Sequence, residues 1–354
     1  MQINLIVDPI LSWYRKEKRI LPFRLTSNPY KIWLSEVMLQ QTRVNTVIPY
    51  YNSWIESYPS VASVAKAKIS SLLKIWEGLG YYSRCKNFHK ACKIVVNDFQ
   101  GIVPSKLENF ITLPGVGEYT AAAVLSIAYN KPYPVIDVNV KRVLCRLLGI
   151  RNYNQYNKDR VLKNLTKIIP RKYPGDFNQG IMEIGALICK SRNPDCKVCP
   201  VQQSCIAFKR GSPEKYPKKI KKVSVPHHQI VAGIIWRGNK FYVQKRDNNA
   251  MLGGLWEFPG GKVESDESFR TALIRELQEE CGVLTKICKK IGSVKHSYSH
   301  FSITLHLYHC IEVNNKIDLK PNMKWIKPNQ VEMLPFPKAN HKLFKILDEL
   351  GWNV

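Results

Sequence analysis

Acidic side chains are scarce in this chain: 354 residues carry 27 Asp and Glu against 54 Lys and Arg, a formal net charge of 54 − 27 = +27. Such an imbalance disfavours basic partners and draws polyanions over a Debye length of roughly 8 Å at physiological salt, so nucleic acid is the leading expected partner. Long apolar runs are missing too. The longest, around Thr120–Tyr129, is about half of the roughly 20 residues a membrane-spanning helix needs, which excludes a helical membrane span. The first residues include Asp8 and Glu17 and hold only a short, broken hydrophobic stretch, unlike a signal peptide. The expectation is a soluble monomer with no membrane contact, in the cytoplasm or, in a prokaryote, at the nucleoid. No internal repeat is visible, which excludes a repeat array. The ten cysteines suit metal ligation plus buried free thiols better than disulfides, because thiols stay reduced in that compartment.

From residue 5 to 208 apolar residues recur at three- and four-residue spacing and the breaks fall at Pro or Gly, among them Pro29, Pro59, Pro104, Pro114-Gly115 and Pro174-Gly175. This predicts an all-helical domain over 1–208. The stretch 209–227, rich in Lys and Pro, reads as an exposed basic linker. Composition then changes. His228–Gln244 predicts a hairpin turning at Gly238-Asn239, Phe269–Cys281 a helix and Ser302–Glu312 an alternating strand, so 228–354 is expected to be a small α/β domain built around one central helix.

Within the helical part, 111–120 (ITLPGVGEYT) has the form of a helix-hairpin-helix, in which Leu113 precedes a turn whose Gly115 and Gly117 are expected in conformations closed to other residues. Backbone N–H groups in such a turn can meet a phosphate directly. Twenty residues after Gly117 stands Asp137, in Pro134-Val-Ile-Asp-Val-Asn139, a carboxylate among apolar neighbours that is costly without a task or a partner. Cys189, Cys196, Cys199 and Cys205 follow with the spacing C-x6-C-x2-C-x5-C, unlike the paired spacing of zinc fingers.

Taken in order, Tyr30-Lys-Ile-Trp-Leu-Ser-Glu-Val-Met-Leu-Gln-Gln-Thr42, Gly78-Leu-Gly-Tyr-Tyr-Ser83, the hairpin, Asp137, Phe177-Asn-Gln179 and the four cysteines resemble the helix-hairpin-helix base-excision glycosylases, and among them the MutY-type adenine DNA glycosylases. The resemblance implies a 4Fe-4S cluster on the four cysteines and double-stranded DNA with an A:8-oxoguanine or A:G mispair as partner. Loss of adenine calls for an acid at the base and an anion near the sugar, where oxocarbenium charge develops. Glu36, on an apolar helix, is assigned the acid and Asp137 the ionised partner. Asn139 belongs to the same site. Lyase relatives resembling endonuclease III carry a lysine at the position of Tyr119; a tyrosine forms no imine, so a monofunctional enzyme is expected, with Lys141 the local candidate for adventitious imine formation. The resemblance further implies that Gln41 and Tyr81 wedge into the duplex and that Arg24 and Glu183 line the adenine pocket. Phe23 and Val138 depart from the residues many relatives carry there.

In the second half, Gly261-Lys-Val-Glu-Ser-Asp-Glu267 and Arg275-Glu-Leu-Gln-Glu-Glu-Cys-Gly-Val283 satisfy the Nudix pattern G-x5-E-x7-R-E-U-x-E-E-x-G-U. Glu276, Glu279 and Glu280 fall on one helix face, a possible Mg²⁺ or Mn²⁺ site. The domain resembles MutT, and Leu334-Pro-Phe-Pro-Lys-Ala-Asn340 resembles the segment whose Asn reads the oxidised base, while Tyr298-Ser299-His300 takes the place of the lesion-sensing loop. Two expectations stand side by side: sensing of 8-oxoguanine in DNA, and hydrolysis of 8-oxo-dGTP besides. The rival readings are a Nudix pyrophosphohydrolase tethered to DNA by its helical half, and a bifunctional lyase, against which Tyr119 argues.

Overall fold

The computed structural model describes all residues except 1–2, 219–223, 249, 283, 314–316, 318 and 353–354. The chain forms two compact units, Met1–Lys66 with Asn87–Lys221, and Ala67–Lys86 with Lys222–Val354. Val283, the last position of the Nudix pattern, lies outside the described residues, as does the middle of the predicted linker.

The first unit is helical. Asn28 accepts the N–H groups of Tyr30 and Lys31 at 2.9 and 3.3 Å, Pro29 takes the first helical position, and the helix Pro29–Leu39 starts there. Eight of its residues, Tyr30 to Met38 less Lys31, are buried, so it runs through the core with Glu36 among mostly apolar neighbours. Trp33 meets Phe88 and Phe110 edge-on, at centroid separations of 4.6 and 5.3 Å. The helix Glu118–Tyr129 packs against it, and Pro174–Leu187 packs on Val138–Leu147. Gly185 permits that second contact, because a Cβ there would lie 2.7 Å from the Cβ of Asn139. The predicted linker begins as folded structure and not as an exposed tether. Tyr216 is buried, its carbonyl accepts from Arg146 Nε at 3.1 Å, and Lys218 N–H reaches the Arg151 carbonyl at 2.7 Å.

The hairpin corrects one expectation. Gly115 has φ +79° and a Cβ there would lie 2.9 Å from the Cβ of Asn87, but Gly117 is the extended N-cap of the next helix (φ −96°, ψ 175°) with nothing within 4 Å of such an atom. Gly115→Ala is therefore expected to destabilise the unit by about 1–2 kcal/mol, the left-handed cost for an L residue, and Gly117→Ala by less than about 0.5 kcal/mol. Urea unfolding of the two variants measures the difference.

In the second unit β1 (His227–Arg237) and β2 (Lys240–Lys245) form the expected hairpin, and the helix Phe269–Cys281 and the strand β5 (Ser302–Glu312) have the predicted bounds. With β3 (Trp256–Glu257), β4 (Thr285–Ser297) and β6 (Met323–Ile326) they make a six-stranded sheet ordered β3-β2-β1-β5-β4, β6 pairing with β2; β1 and β5 run parallel. Alternate residues of β1 serve opposite faces: Val231 and Ile235 pack with Ala272, Leu273 and Leu277 of the helix, Ala232 and Ile234 with Leu343, Phe344 and Leu347. The expected single helix is thus two, because Lys338–Glu349 covers the other face.

Candidate active site

Glu36 is 7% exposed, and the hydroxyl of Tyr119, from the helix that packs on its own, donates to its Oε2 at 3.0 Å. Burial raises the Glu36 carboxyl to about 7, against the lowering effect of that hydrogen bond, and the charge of Asp137 adds to the rise. Asp137 caps the helix Val138–Leu147, accepting Val140 N–H at 2.6 Å and Asn139 Nδ2 at 3.0 Å. Burial lifts its carboxyl above the ordinary value, and those two donors with Arg142 oppose the lift. The charge of Asp137, from a distant part of the chain, therefore reaches Glu36. Asn178, fully buried, sets the approach to Asp137: it donates to Ser126 Oγ and to the Tyr133 carbonyl at 2.9 Å each and accepts Val135 N–H at 3.2 Å.

Glu183 is 1% exposed and accepts from Arg24 at 2.6 Å and from Arg19 through two nitrogens at 2.6 and 2.8 Å. Burial pushes its carboxyl up, but the two guanidinium groups outweigh this and hold it at about 2. A third arginine, Arg142, joins Asn139 to the cysteine loop, donating to Asn139 Oδ1 at 2.8 Å and to the Cys189 carbonyl at 2.7 Å. Lys141 turns its ammonium over the Tyr153 ring, 4.0 Å from the centroid.

The four cysteines of the loop are half-buried. Burial raises the thiols of Cys196, Cys199 and Cys205, and each is raised further by its neighbours in the set. Arg146, 2% exposed, donates to Cys189 Sγ at 3.2 Å. Among the described residues no three His, Cys, Asp or Glu side chains converge as a lone metal ion would require. In a cubane each thiolate holds a different iron, so the thiols need not meet at one point. Four thiols close enough to perturb one another, with a guanidinium beside one, fit such a group. Of the other cysteines, Cys85, Cys92, Cys145 and Cys310 are buried as expected, whereas Cys281 and Cys288 are only half-buried.

Gln41 and Tyr81 both hold left-handed backbone, φ 57° and 48°. This costs roughly 1–2 kcal/mol apiece and is found where the surroundings enforce it. Around Tyr81 they do: Trp76 Nε1 donates to the Gly80 carbonyl at 3.0 Å, Arg84 donates to the same carbonyl at 3.0 Å, and Gly78 N–H reaches the Tyr82 hydroxyl at 3.1 Å. The Tyr81 hydroxyl touches that of Ser299.

A cavity of about 630 Å³ in the second unit is lined by Glu276, Glu280, Gly261, Tyr298, Phe301 and Asn340, among others. Ser299 and His300 are exposed. Arg275 binds Glu267 at 2.6 Å, Glu276 at 2.9 Å and Glu279 at 3.3 Å, and Glu280 accepts Gly260 N–H at 2.8 Å. Glu279, more than half exposed, does not line the cavity with the other two. Glu257, which the sequence reading passed over, does line it; it pairs with Arg246, and burial raises it to about 7 against that pairing.

Residues 34–171 match the family described as HhH-GPD superfamily base excision DNA repair protein, and 231–345 match the NUDIX domain. An adenine DNA glycosylase of Buchnera aphidicola subsp. Schizaphis graminum is 38% identical over 87% of this chain and 87% of its own length. The chain belongs to the adenine DNA glycosylase family. A human adenine DNA glycosylase is 31% identical over 95% of this chain and 73% of that protein. The solved structure of a thermostable thymine-DNA glycosylase superposes with a TM-score of 0.54 at 29% identity, covering 58% of this chain and 96% of that one. The enzyme is thus a DNA N-glycosylase with a helical helix-hairpin-helix domain joined to a Nudix-type α/β domain, acting on adenine in base excision repair. Among the described residues no helix of this glycosylase is long and apolar enough to cross a membrane. Arg19 and Arg142 went unnoticed in its sequence because their partners are remote: 164 residues separate Arg19 from Glu183 and 47 separate Arg142 from Cys189. Spacing gave only a faint signal, Arg142 lying one helical turn beyond Asn139.

Proposed function

We propose that the enzyme removes adenine mispaired with 8-oxoguanine or guanine by a monofunctional route. Glu36 in its acid form gives its proton to nitrogen-7 of the extruded purine, the C1′–N9 bond breaks with its electron pair going to the base, and the ionised Asp137 steadies the cation left on the sugar. Water then adds at C1′ and yields a proton to the Glu36 carboxylate. Tyr119 holds Glu36 by its donated hydrogen bond. The observation that carries this reading is the buried Glu36 carboxyl, bonded to Tyr119, acted on by the charge of Asp137 and raised to about 7. Gln41 and Tyr81 enter the duplex, the turn at Leu113–Gly117 grips a phosphate, and Arg24 and Glu183 bound the adenine pocket. Cys189, Cys196, Cys199 and Cys205 hold a 4Fe-4S cluster, which supplies a rigid scaffold for the loop. A duplex with one adenine opposite 8-oxoguanine should yield free adenine and an intact strand that breaks only after alkali; breakage without alkali would contradict the monofunctional assignment.

The Tyr298-Ser299-His300 loop and Asn340 read 8-oxoguanine, a reading supported by Tyr298 and Asn340 lining the same cavity. A second activity, hydrolysis of 8-oxo-dGTP, is favoured by Glu276 and Glu280 lining that same cavity. With Mg²⁺ or Mn²⁺ bound there, pyrophosphate release is expected from the intact protein and not from Glu280→Gln; equal release from both would sink it.

A further inference from the structure

One carboxylate, Glu77, joins two parts of the second unit that are remote in sequence. It stands just after the short helix Ile69–Ile75 and directly before Gly78. Its Oε1 accepts the Phe336 backbone N–H at 2.5 Å and His341 Nε2 at 2.7 Å, and its Oε2 accepts Lys74 Nζ at 2.6 Å. Lys74 in turn donates to the Leu334 carbonyl at 3.1 Å. Phe336 is fully buried and the His341 ring meets it edge-on at 6.5 Å, so the receiving side is itself packed. On the chain, Glu77 lies four residues before Tyr81, in a run where Gly78, Gly80 and Tyr81 all have positive φ. On the other side, His341 follows Asn340, which is 5% exposed and lines the cavity with Tyr298.

We infer that Glu77 is a positioning residue for lesion discrimination, fixing the Tyr81 segment in register with the helix that presents Asn340. The inference rests on the reading of 8-oxoguanine by Tyr298–His300 and Asn340 proposed above. Glutamine cannot replace this carboxylate. Three donors converge on Glu77, and an amide offers one accepting oxygen plus an NH₂ that would face either the Lys74 ammonium or the Phe336 and His341 donors. One arm of the contact must therefore open, and the Tyr81 segment loses its alignment while the catalytic carboxyls of the other unit are untouched.

The test uses the full chain. Affinities are measured for duplexes in which a non-cleavable adenine analogue faces 8-oxoguanine or guanine, together with single-turnover excision from A:G. Glu77→Gln should narrow the preference for the 8-oxoguanine duplex about tenfold, with excision from A:G falling by much less and the melting temperature by only a few degrees. His341→Gln, which keeps a donor toward Glu77, should preserve the preference. The double variant Tyr298→Ala, Ser299→Ala separates the two claims. If it leaves the preference intact, the reading of 8-oxoguanine by this loop fails; if it abolishes the preference while Glu77→Gln keeps it, the role of Glu77 fails. Loss of A:G excision in Glu77→Gln to the same degree as 8-oxoguanine recognition would also overturn the inference, because a general structural role would then account for it.

Discussion

Glu36→Gln is expected to slow adenine release by about 10⁴-fold, the upper range for loss of a general acid, with mismatch affinity unchanged. Glutamine matches protonated glutamate in shape and can still accept from the Tyr119 hydroxyl, which now donates to Glu36 Oε2 at 3.0 Å, so that contact persists and only the transferable proton is lost. Stability should move the other way. The Glu36 carboxyl is raised from 4.5 to about 7 in the fold; its favourable neutral state is fully present below the unfolded value and is lost as pH climbs through the folded one. At 1.36 kcal/mol per pKa unit the burden of ionising it is about 3 kcal/mol. Glutamine escapes that burden, so the variant should melt higher than the parent at pH 8 and equally at pH 4.5. An active site that is held at a cost to stability leaves this trace. Single-turnover excision and thermal melting at the two pH values check both halves.

Asp137→Asn is expected to lower the rate by about 10³-fold, the usual loss when a charge aimed at a developing ion is removed. Asparagine ranks with aspartate as an N-cap, so the bond from Val140 N–H survives and the helix Val138–Leu147 keeps its start. One contact suffers, because Asn139 Nδ2, which now donates to Asp137 Oδ2 at 3.0 Å, would meet an amide that presents oxygen on one side alone. Stability should therefore change by less than about 1 kcal/mol. Asp137→Ala loses the cap as well and should cost about 1 kcal/mol more. If Asp137→Asn kept the rate within tenfold, the anion would have no part in stabilising the sugar cation.

Much of the fold could be read directly from residue order. The helix Phe269–Cys281 and the strand Ser302–Glu312 were foreseen at their observed bounds because each has a clean period and a clear stop, Gly282 closing the helix in left-handed conformation. β4 was missed for the opposite reason. It is an edge strand, and its register shifts between Ile287 and Lys290 and again by Gly292, so its alternation is broken where a pattern would be sought. The last helix hid behind Leu334–Asn340, which reads as a recognition segment although Asn340 is already in the first turn of Lys338–Glu349. In the site, Glu36, Asp137 and Tyr119 were legible through the resemblance, but what acts on them was not. Arg19 completes the hold on Glu183, Arg142 connects Asn139 to the cysteine loop, and Glu257 adds an unforeseen carboxyl to the Nudix cavity. The left-handed backbone of Gln41 and Tyr81 is likewise invisible in side-chain chemistry, since neither residue favours it.

The pH dependence of adenine release under single turnover, at saturating enzyme, tests the central claim most directly. An acid with a folded pKa of about 7 loses its proton as pH rises, so the rate should hold on the acid side and fall about tenfold per unit above pH 7. At the low end it should decline again as Asp137, itself lifted above the ordinary aspartate value, takes up a proton. A rate that stayed flat from pH 6 to 9 would contradict proton delivery by Glu36.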